Sequence, residues 1–266
     1  MKRCCLVVTT HARPDALACV LEAVAAQSSP PDELVIAEDG MDPETAQVVG
    51  RHEAAAPYAV RHLRQPHAGF RAGRIRNAAI ARTGCEYVVL LDGDMVVHPQ
   101  FLADHRASAR PGYWSQGVRI RLDAGATRRL IARPGRLPGP WSRGLGLARR
   151  AYALRSPALA GALRLPANAL VAVKACNQGF WRRDLIAANG FDESMSGWGS
   201  EDKELCARLG NAGVQRQTLL FAAVAWHLDH PPASRVHAGE NRARWHETVR
   251  TGRTRCEAGI DTHLDR

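Results

Sequence analysis

The first hundred residues alternate between short apolar runs and stretches with helical spacing, and this alternation strongly constrains the fold. Residues 4–9, 33–37 and 87–91 are apolar and rich in β-branched or aliphatic side chains, as expected of strands buried on both faces. Residues 14–27 and 73–82 carry helical patterns between them. Strands that alternate with helices predict an α/β fold with a mixed, mostly parallel sheet flanked by helices.

Turn signals and weaker periodicities extend this prediction along the chain. The pattern predicts a helix that Asp42 caps and that runs to Arg51, strands over 58–63, 169–173 and 219–226, and helices over 181–189, from near Ser200, and over 241–250. Residues 128–164 are dominated by Arg, Pro, Gly and Leu, so we expect a loop with short helices there. This arginine-rich segment is either a variable insertion or a basic face for a membrane or an anionic acceptor.

Composition excludes several classes of protein. The chain has 266 residues, 45% of them apolar and 23% charged, which fits a folded globular protein and argues against disorder, a collagen-like repeat or a disulfide-stapled miniprotein. Its seven cysteines have no C-x-x-C spacing, which favours a reducing compartment. We find no leader sequence and no apolar stretch of membrane-spanning length in the sequence, and therefore expect a cytoplasmic protein.

The net charge of +10 is carried almost wholly by arginine, because only three of the 36 basic residues are lysines. Arginine suits phosphates and anionic surfaces, so the charge permits an acidic partner without identifying one. A nucleic-acid-binding protein would interleave basic residues with exposed aromatic ones. Aromatic residues make up only 6% of this chain, and its acidic motifs lie where phosphate would have to bind, so we expect no nucleic acid.

Two acidic turns follow predicted strands, where ligands of such sheets bind. Asp39-Gly40 follows the second strand, and Asp92-Gly93-Asp94 follows the apolar run YVVLL. Two carboxylates one residue apart can share a hard cation, and the glycine between them lets backbone and ligand approach closely. A solvated acidic turn is the plain alternative, but the position directly after a buried strand favours a ligand site.

A second motif, Gly197-Trp198-Gly199-Ser200-Glu201-Asp202, is more specific. Two glycines around a tryptophan allow a tight bend that presents an aromatic platform to a sugar ring. Glu201 and Asp202 then fall in the first turn of a helix, where the helix dipole favours ionised carboxylates, and a carboxylate held there can act as a general base. Alternatively, the string is a helix start with Ser200 as its cap.

Two of the eleven histidines, His227 and His230, follow the predicted strand 219–226 directly. A histidine in such a place is often structural, but an acidic pair that needs a further ligand makes it a candidate metal ligand. We prefer His227 because it lies nearer the strand, with His230 as the second choice.

These motifs together resemble glycosyltransferase family 2 with the GT-A nucleotide-sugar fold. The C-terminal half resembles the galactosyltransferase-type module that carries a G-W-G-x-E-D string. The matching stretches, in family order, are LVVTTHARPDAL, ELVIAEDG, QPHAGFRAGRIRNAAIARTG, YVVLLDGDMVVHPQFL, ACNQGFWRRDLIAANGFDESMSGWGSEDKEL and VAWHLDHPP. They span roughly residues 4–232, so the resemblance covers most of the chain.

The resemblance implies a role for each matching residue. The nucleotide-sugar donor, expected to be UDP-linked, would contact Thr9, His11, Arg13, Asp39, Asp92, Arg71 and Arg74. Asp39 would meet the base, Asp92 the ribose or the metal, and the two later arginines the phosphates. Asp94, with His227 and Asp92, would hold a divalent ion, manganese or magnesium. Asp202 would be the catalytic base and Glu201 would bind the acceptor or position the base, and the acceptor or donor sugar would lie against Trp198, Gly197, Gly199 and Asn177.

The resemblance also implies a domain plan and a reaction. One GT-A domain over 1–236 would comprise a nucleotide-sugar half (1–100), a basic insertion (125–165) and an acceptor and catalytic half (166–236), with a C-terminal helix and tail over 237–266. The expected reaction is inverting, metal-dependent transfer of a hexose to a glycan or lipid-linked glycan acceptor in bacterial surface polysaccharide or lipopolysaccharide synthesis. The protein would work in the cytoplasm, with peripheral contact to the inner face of the membrane left open.

Two other readings stay open. A nucleotidyltransferase would use a related nucleotide-binding sheet, but such enzymes favour a glycine-rich loop after the first strand, and TTHARPDAL has no glycine. A catalytically silent relative would bind a nucleotide sugar without transferring it, and the joint presence of Asp94, Asp202 and His227 argues against that reading.

Overall fold

The computed structural model describes residues 2–162 and 173–264. Its strands are β1 Cys4–Thr10, β2 Glu33–Asp39, β3 Ala59–Gln65, β4 Tyr87–Asp92, β5 Met95–Val97, β6 Tyr113–Gly117, β7 Arg119–Arg121, β8 Asn177–Trp181, β9 Gln215–Leu219 and β10 Ala225–His227. Its α-helices are α1 Pro14–Ala25, α2 Pro43–Ala55, α3 Ala72–Arg82, α4 Phe101–Ser108, α5 Ala124–Ala132, α6 Pro157–Ala162, α7 Arg182–Ala187, α8 Glu201–Asn211, α9 Ala238–Thr251 and α10 Asp261–Leu264. A 3-10 helix covers Leu147–Ala153.

Seven strands form one mixed sheet in the order β3-β2-β1-β4-β8-β6-β9. The four N-terminal strands are parallel, β8 is antiparallel to both β4 and β6, and β9 runs parallel to β6. A separate three-stranded sheet has the order β5-β10-β7. The predicted mixed, mostly parallel sheet flanked by helices is confirmed.

The alternation of β1 explains why both faces of the large sheet are covered. Leu6 and Val8 belong to the apolar cluster that includes α1, whereas Cys5 and Val7 belong to the cluster that includes α3 and α8. Every residue of β1 and β2 is buried, as strands between two helical layers must be. The carboxyl ends of β1, β2 and β4 therefore meet at one edge, which is where the polar residues collect.

One predicted element of the C-terminal half is confirmed and one is wrong. The expected helix over 181–189 is present as the short helix α7, and it follows the strand β8, whose buried run NQGFW pairs with β4 in the middle of the sheet. The expected strand over 219–226 is interrupted between β9 and β10, where Phe221 and Ala223 adopt left-handed conformations. The segment 169–173 lies outside the described residues except for Val173.

Other expectations agree with the structure. The side chain of Asp42 accepts hydrogen bonds from the backbone of Glu44 and Thr45 and so caps α2. The arginine-rich segment contains short helices, α5, the 3-10 helix and α6, among irregular turns. Across the described residues, the helices are all too short or too polar to cross a bilayer.

Candidate active site

The turn after β4 lies directly against β1. The backbone N–H of Gly93 donates to the carbonyl of Thr9 over 2.7 Å, and a Cβ at this glycine would lie 2.8 Å from the Cβ of Thr10. Only glycine fits there without displacing the strand. The turn thereby carries Asp92 and Asp94 to the carboxyl edge of the sheet, as the sequence predicts.

Strand β10 brings histidine to Asp94. It pairs antiparallel with β5, so that His227 lies opposite Met95, and the N–H of Leu228 donates to the carbonyl of Asp94 over 2.9 Å. The Oδ2 atom of Asp94 is 3.6 Å from Nε2 of His227 and 3.1 Å from Nε2 of His230. The sequence left a choice between the two histidines, and the structure brings both to the carboxylate.

The donor set of this cluster fits a divalent cation. One ligand atom from each of Asp94, His227 and His230 lies within 4.8 Å of the others, and imidazole with carboxylate suits first-row divalent metals. The second carboxylate oxygen of Asp94 is buried and has no hydrogen-bond partner in the described parts of the chain. A buried, unpaired carboxylate oxygen is costly, and a bound cation would satisfy it.

The ionisation of these groups agrees with that fit. Burial lowers the pKa of His227 to about 4, so its imidazole is neutral near pH 7 and can offer a lone pair. Burial acts to raise the pKa of Asp94, but the hydrogen bond from His230 and nearby positive charge outweigh it and hold the pKa below its usual value. The cluster thus presents a carboxylate rather than a carboxylic acid.

Arg76, which the sequence did not single out, joins the two acidic motifs. Its guanidinium donates to Oδ1 of Asp92 over 2.9 Å and to the hydroxyl of Thr9 over 3.1 Å. Its Nη1 atom lies 3.9 Å from a carboxylate oxygen of Glu201. Asp92 is therefore paired with this arginine and lies outside the three-residue cluster around Asp94, so its role as a metal ligand stays a prediction. Its predicted contact with a ribose stays a prediction.

The G-W-G-S-E-D string forms a tight bend followed by a helix. Gly197, Gly199 and Ser200 all have positive φ, and α8 begins at Glu201. The side chain of Ser200 makes no capping hydrogen bond within the described structure, so the expectation that it caps the helix is wrong. The carboxylate of Glu201 instead accepts from the N–H of Gly199 over 3.1 Å, which braces the bend from within.

Asp202 is buried, Glu201 is largely buried, and both carboxylates have raised pKa values. Burial, and then the neighbouring Asp202, raise the pKa of Glu201 to about 7. Burial also raises the pKa of Asp202, although Lys174 and hydrogen bonds act against it. The oxygens of Asp202 accept from the N–H groups of Ala175, over 3.1 Å, and Lys203, over 2.8 Å. Carboxyl groups whose pKa values are raised by burial are typical of acid–base sites.

Trp198 is half-buried beside the bend. The guanidinium carbon of Arg235 lies 5.6 Å from its ring centroid. The preceding glycine is required by packing, since a Cβ at Gly197 would lie 2.5 Å from the ring of His237. The string is therefore held from the C-terminal side by residues just before α9.

The residues predicted to bind the nucleotide lie at the ends of β1 and β2. The Nδ1 atom of His11 donates to the carbonyl of Asp39 over 2.6 Å, and the ring stacks on His67 with ring centroids 4.3 Å apart. The carboxylate of Asp39 accepts from the side chain of Gln65 over 2.7 Å and from the N–H of Arg71 over 2.8 Å. The sequence missed His67, which no spacing rule connects to β1.

Three of the remaining predicted residues lie in different surroundings. The guanidinium of Arg71 bonds to the carbonyl of Pro66, and that of Arg74 lies 3.3 Å from Glu193. Arg13 is partly buried beside Asp15. Both Arg71 and Arg74 line a cavity of about 430 Å³ that also reaches Glu201 and Glu193. Residues from the end of the chain complete the cavity: Ala258, Thr262 and His263.

Asn177 does not reach this cleft. Its side chain is fully buried in β8, where the amide donates to the carbonyl of Ala223 over 2.9 Å and its oxygen bonds to His105 over 2.9 Å. Direct contact with a sugar is excluded by that burial, so the expectation that it binds substrate is wrong. Asn177 instead fixes the segment that leads into β10.

The mixed sheet flanked by helices has the GT-A fold of glycosyltransferases. Residues 5–129 match the family model described as glycosyl transferase family 2, and residues 164–231 match the model described as the N-terminal domain of galactosyltransferase. The N-terminal part of the chain is thus similar to glycosyltransferase family 2, and the C-terminal part is similar to the galactosyltransferase module.

Individual proteins are similar over most of this chain. A hyaluronan synthase from Pasteurella multocida is 23% identical over 240 residues, which are 85% of this chain and 24% of the synthase. The mannosyltransferase PcManGT from Pyrobaculum calidifontis, solved with GDP-Man and Mn²⁺, is 18% identical with a TM-score of 0.62, covering 94% of this chain and 64% of that one. S. aureus TarS 1-349 in complex with UDP is 15% identical with a TM-score of 0.65, covering 99% and 70%. The chain thus spans about a quarter of the synthase and under two thirds of the mannosyltransferase.

Proposed function

We propose that this protein transfers a hexose from a nucleoside diphosphate sugar, UDP-linked, to a hydroxyl group of a glycan or lipid-linked glycan. The observation that carries the proposal is the single polar cluster in which Arg76 connects the turn holding Asp92 and Asp94 to Glu201 of the G-W-G-S-E-D string. The structural relatives support a nucleotide-bound donor, since one was solved with GDP-Man and Mn²⁺ and another with UDP.

The donor would lie across the carboxyl ends of β1, β2 and β4. Asp39 and His11, which are bonded to each other, would contact the base, and Thr9 and Arg13 would line the nucleotide from the loop after β1. Asp92 would accept from the ribose while Arg76 holds its other oxygen. This placement follows the general position of ligands in sheets of this kind.

Asp94, His227 and His230 would hold manganese or magnesium. A divalent cation bound there supplies charge neutralisation for the departing diphosphate. The buried, unpaired oxygen of Asp94 and the neutral imidazole of His227 support this assignment.

Asp202 would take the proton from the acceptor hydroxyl as that oxygen bonds to the anomeric carbon and the bond from this carbon to the diphosphate breaks. One in-line displacement of this kind inverts the anomeric centre and needs no protein nucleophile. Glu201 would bind the acceptor or orient Asp202, and Trp198 in its glycine bend would stack on a sugar ring. The raised pKa of Asp202 would make its carboxylate a stronger base than an exposed aspartate.

We further propose that the product is a bacterial surface polysaccharide or lipopolysaccharide, made in the cytoplasm at the inner face of the membrane. The family match and the similarity to a hyaluronan synthase support a polysaccharide product. The identity of the hexose depends on the shape of the pocket.

A panel of nucleotide sugars, assayed with and without Mn²⁺, tests the proposal. The expected result is metal-dependent release of a nucleoside diphosphate, UDP from one UDP-sugar in particular, accelerated by a glycan acceptor. Release of pyrophosphate from a nucleoside triphosphate would instead assign a nucleotidyltransferase. Binding of a nucleotide sugar without turnover across the acceptor panel would assign a silent relative.

A further inference from the structure

The chain's positive charge is concentrated in one continuous stretch, residues 121–160, which we call the basic surface. It contains nine arginines and a single acidic residue, Asp123, and so carries +8 of the net +10. Seven of its arginines are exposed: Arg121, Arg128, Arg129, Arg133, Arg136, Arg143 and Arg149. The remaining 226 residues are almost neutral in sum, so the excess of arginine belongs to this region and not to the molecule at large.

The same stretch exposes large apolar side chains. Half of the eight such side chains that are exposed in the described residues lie in it: Trp141, Leu147, Leu154 and Leu159. Trp141 is 88% exposed and Leu147 is 78% exposed. In the described structure, the helix α6, with the sequence PALAGA, buries none of its residues. Apolar groups gathered in this way usually mark a contact surface.

Hydrogen bonds hold the exposed tryptophan in place. The guanidinium of Arg129 donates to the carbonyl of Arg143 over 3.0 Å, and that of Arg150 donates to the carbonyl of Pro140 over 2.7 Å. The Arg150 guanidinium also lies 5.7 Å from the ring centroid of Trp141. The tryptophan is thus presented on a braced loop, with cationic groups on either side of it in sequence.

The charge and the hydrophobicity of this surface together indicate which kind of partner binds to it. A second copy of the chain would bring +8 against +8, which disfavours self-association. A soluble polyanion would satisfy the arginines but leave Trp141 and the leucines in water. An anionic bilayer satisfies both, because its headgroups attract arginine and its interface accepts tryptophan and leucine. We propose that the basic surface docks this protein onto a membrane rich in anionic lipid.

The docked orientation would place the candidate active site near the lipid. The basic surface begins at Arg121, the last residue of β7. This strand pairs with β10, so that Arg121 lies opposite His227. The N–H of Leu122 then donates to the carbonyl of His227 over 3.0 Å, and the N–H of Gly146 to the carbonyl of Arg121 over 3.0 Å. If the proposed function holds, this short connection suits an acceptor carried on a lipid; vesicle binding itself does not depend on turnover.

Vesicle flotation of the full chain tests the docking. We expect it to float with vesicles of equal parts phosphatidylcholine and phosphatidylglycerol, and to stay unbound with phosphatidylcholine alone. Trp141→Ala with Leu147→Ala should lower the partition coefficient by about ten-fold or more. Arg128→Gln, Arg133→Gln and Arg149→Gln together should lower it by on the order of 100-fold, at about five-fold for each arginine.

Matched variants at exposed positions elsewhere serve as controls. Val236→Ala, at a side chain that is 83% exposed, and the triple variant Arg51→Gln, Arg64→Gln, Arg242→Gln should float like the wild type. Several results would overturn the docking: no flotation, equal flotation with neutral vesicles, or equal losses in the control variants. A dimer that Trp141→Ala abolishes would assign the surface to a second copy, and binding to dextran sulfate without flotation would assign it to a soluble polyanion.

Discussion

Two regions of this molecule invert the usual placement of polar and apolar groups, in opposite directions. At the carboxyl edge of the sheet, Asp94, Asp202 and His227 are withdrawn from water. On the basic surface, Trp141 and Leu147 are exposed to it. Each inversion costs free energy in the isolated chain, so each points to something that binds there. The first region fits a small charged ligand with a cation, and the second fits an extended anionic surface.

The largest expected effect concerns the buried region and turnover. Asp202→Asn removes the base but keeps the shape, and should lower kcat by about 10²- to 10⁴-fold while the affinity for the donor changes by less than about two-fold. Turnover with a nucleotide sugar and binding of the corresponding diphosphate are the two measurements. Asp15→Asn, on the exposed first turn of α1, is the control. Retained turnover in Asp202→Asn would move the role of base to Glu201.

Substitutions in a buried and in an exposed ion pair should differ strongly in their effect on the free energy of unfolding. Glu204 on α8 is fully buried and accepts from Arg208, over 2.7 Å, and from Thr248 of α9, over 2.9 Å. Glu204→Ala leaves the buried guanidinium of Arg208 without a carboxylate to balance its charge and should lower the free energy of unfolding by about 3–5 kcal/mol. Chemical denaturation measures this difference.

The matched control is Glu247→Ala, whose partner Arg250 is exposed. Its effect on the denaturation midpoint should be close to zero, since exposed pairs stabilise little. If both variants unfolded at the same denaturant concentration, α8 and α9 would not depend on the buried pair.

A smaller effect should appear as a pH dependence of stability. Burial raises the pKa of Glu201 from 4.5 to about 7, so the native state binds this proton more tightly than the unfolded state does. The stabilisation is therefore complete below about pH 4.5 and is lost as the pH rises through about 7. Glu201→Gln should unfold like the wild type at pH 4.5 and be more stable at pH 8 by up to about 3 kcal/mol. A constant difference between these pH values would contradict the raised pKa.

The smallest effect belongs to the exposed region in the absence of membrane. Trp141 is almost fully exposed, so Trp141→Ala should change the free energy of unfolding by no more than about 0.5 kcal/mol. Turnover with a water-soluble acceptor should also match that of the wild type. A large loss of either would mean that the tryptophan belongs to the fold or to the active site, and would weaken its assignment to a contact surface.

The sequence predicts the N-terminal half of the fold well because β1, β2 and β4 contain continuous apolar runs. The four strands β1 to β4 and the helices between them lie within a few residues of their predicted bounds. It fails at β6 and β7, whose sequences YWSQG and RIR are too polar and too short to signal strands. Those strands exist because they pair with β8, β9 and β10, and such non-local pairing leaves no local pattern.

The residues of the candidate site likewise fall into those that a local sequence pattern predicts and those that it does not. Asp94 and the histidines could be found because they directly follow strands, and position along a strand is local. Arg76 could not, because its role depends on how α3 lies against β1 and on the approach of Glu201 from a distant helix. The role of Asn177 was wrong because a matching motif does not tell which way a side chain points, and in the structure this side chain is fully buried in the core.

The central claim is that Asp94, His227 and His230 bind a divalent cation together with the donor diphosphate. Titration of Mn²⁺, followed by electron paramagnetic resonance with and without UDP, tests it most directly. We predict a site of one Mn²⁺ per chain that UDP tightens, and that both Asp94→Asn and His230→Ala weaken by more than about ten-fold. Mn²⁺ binding that is unchanged in Asp94→Asn, or UDP binding of equal strength with and without the metal, would contradict the claim.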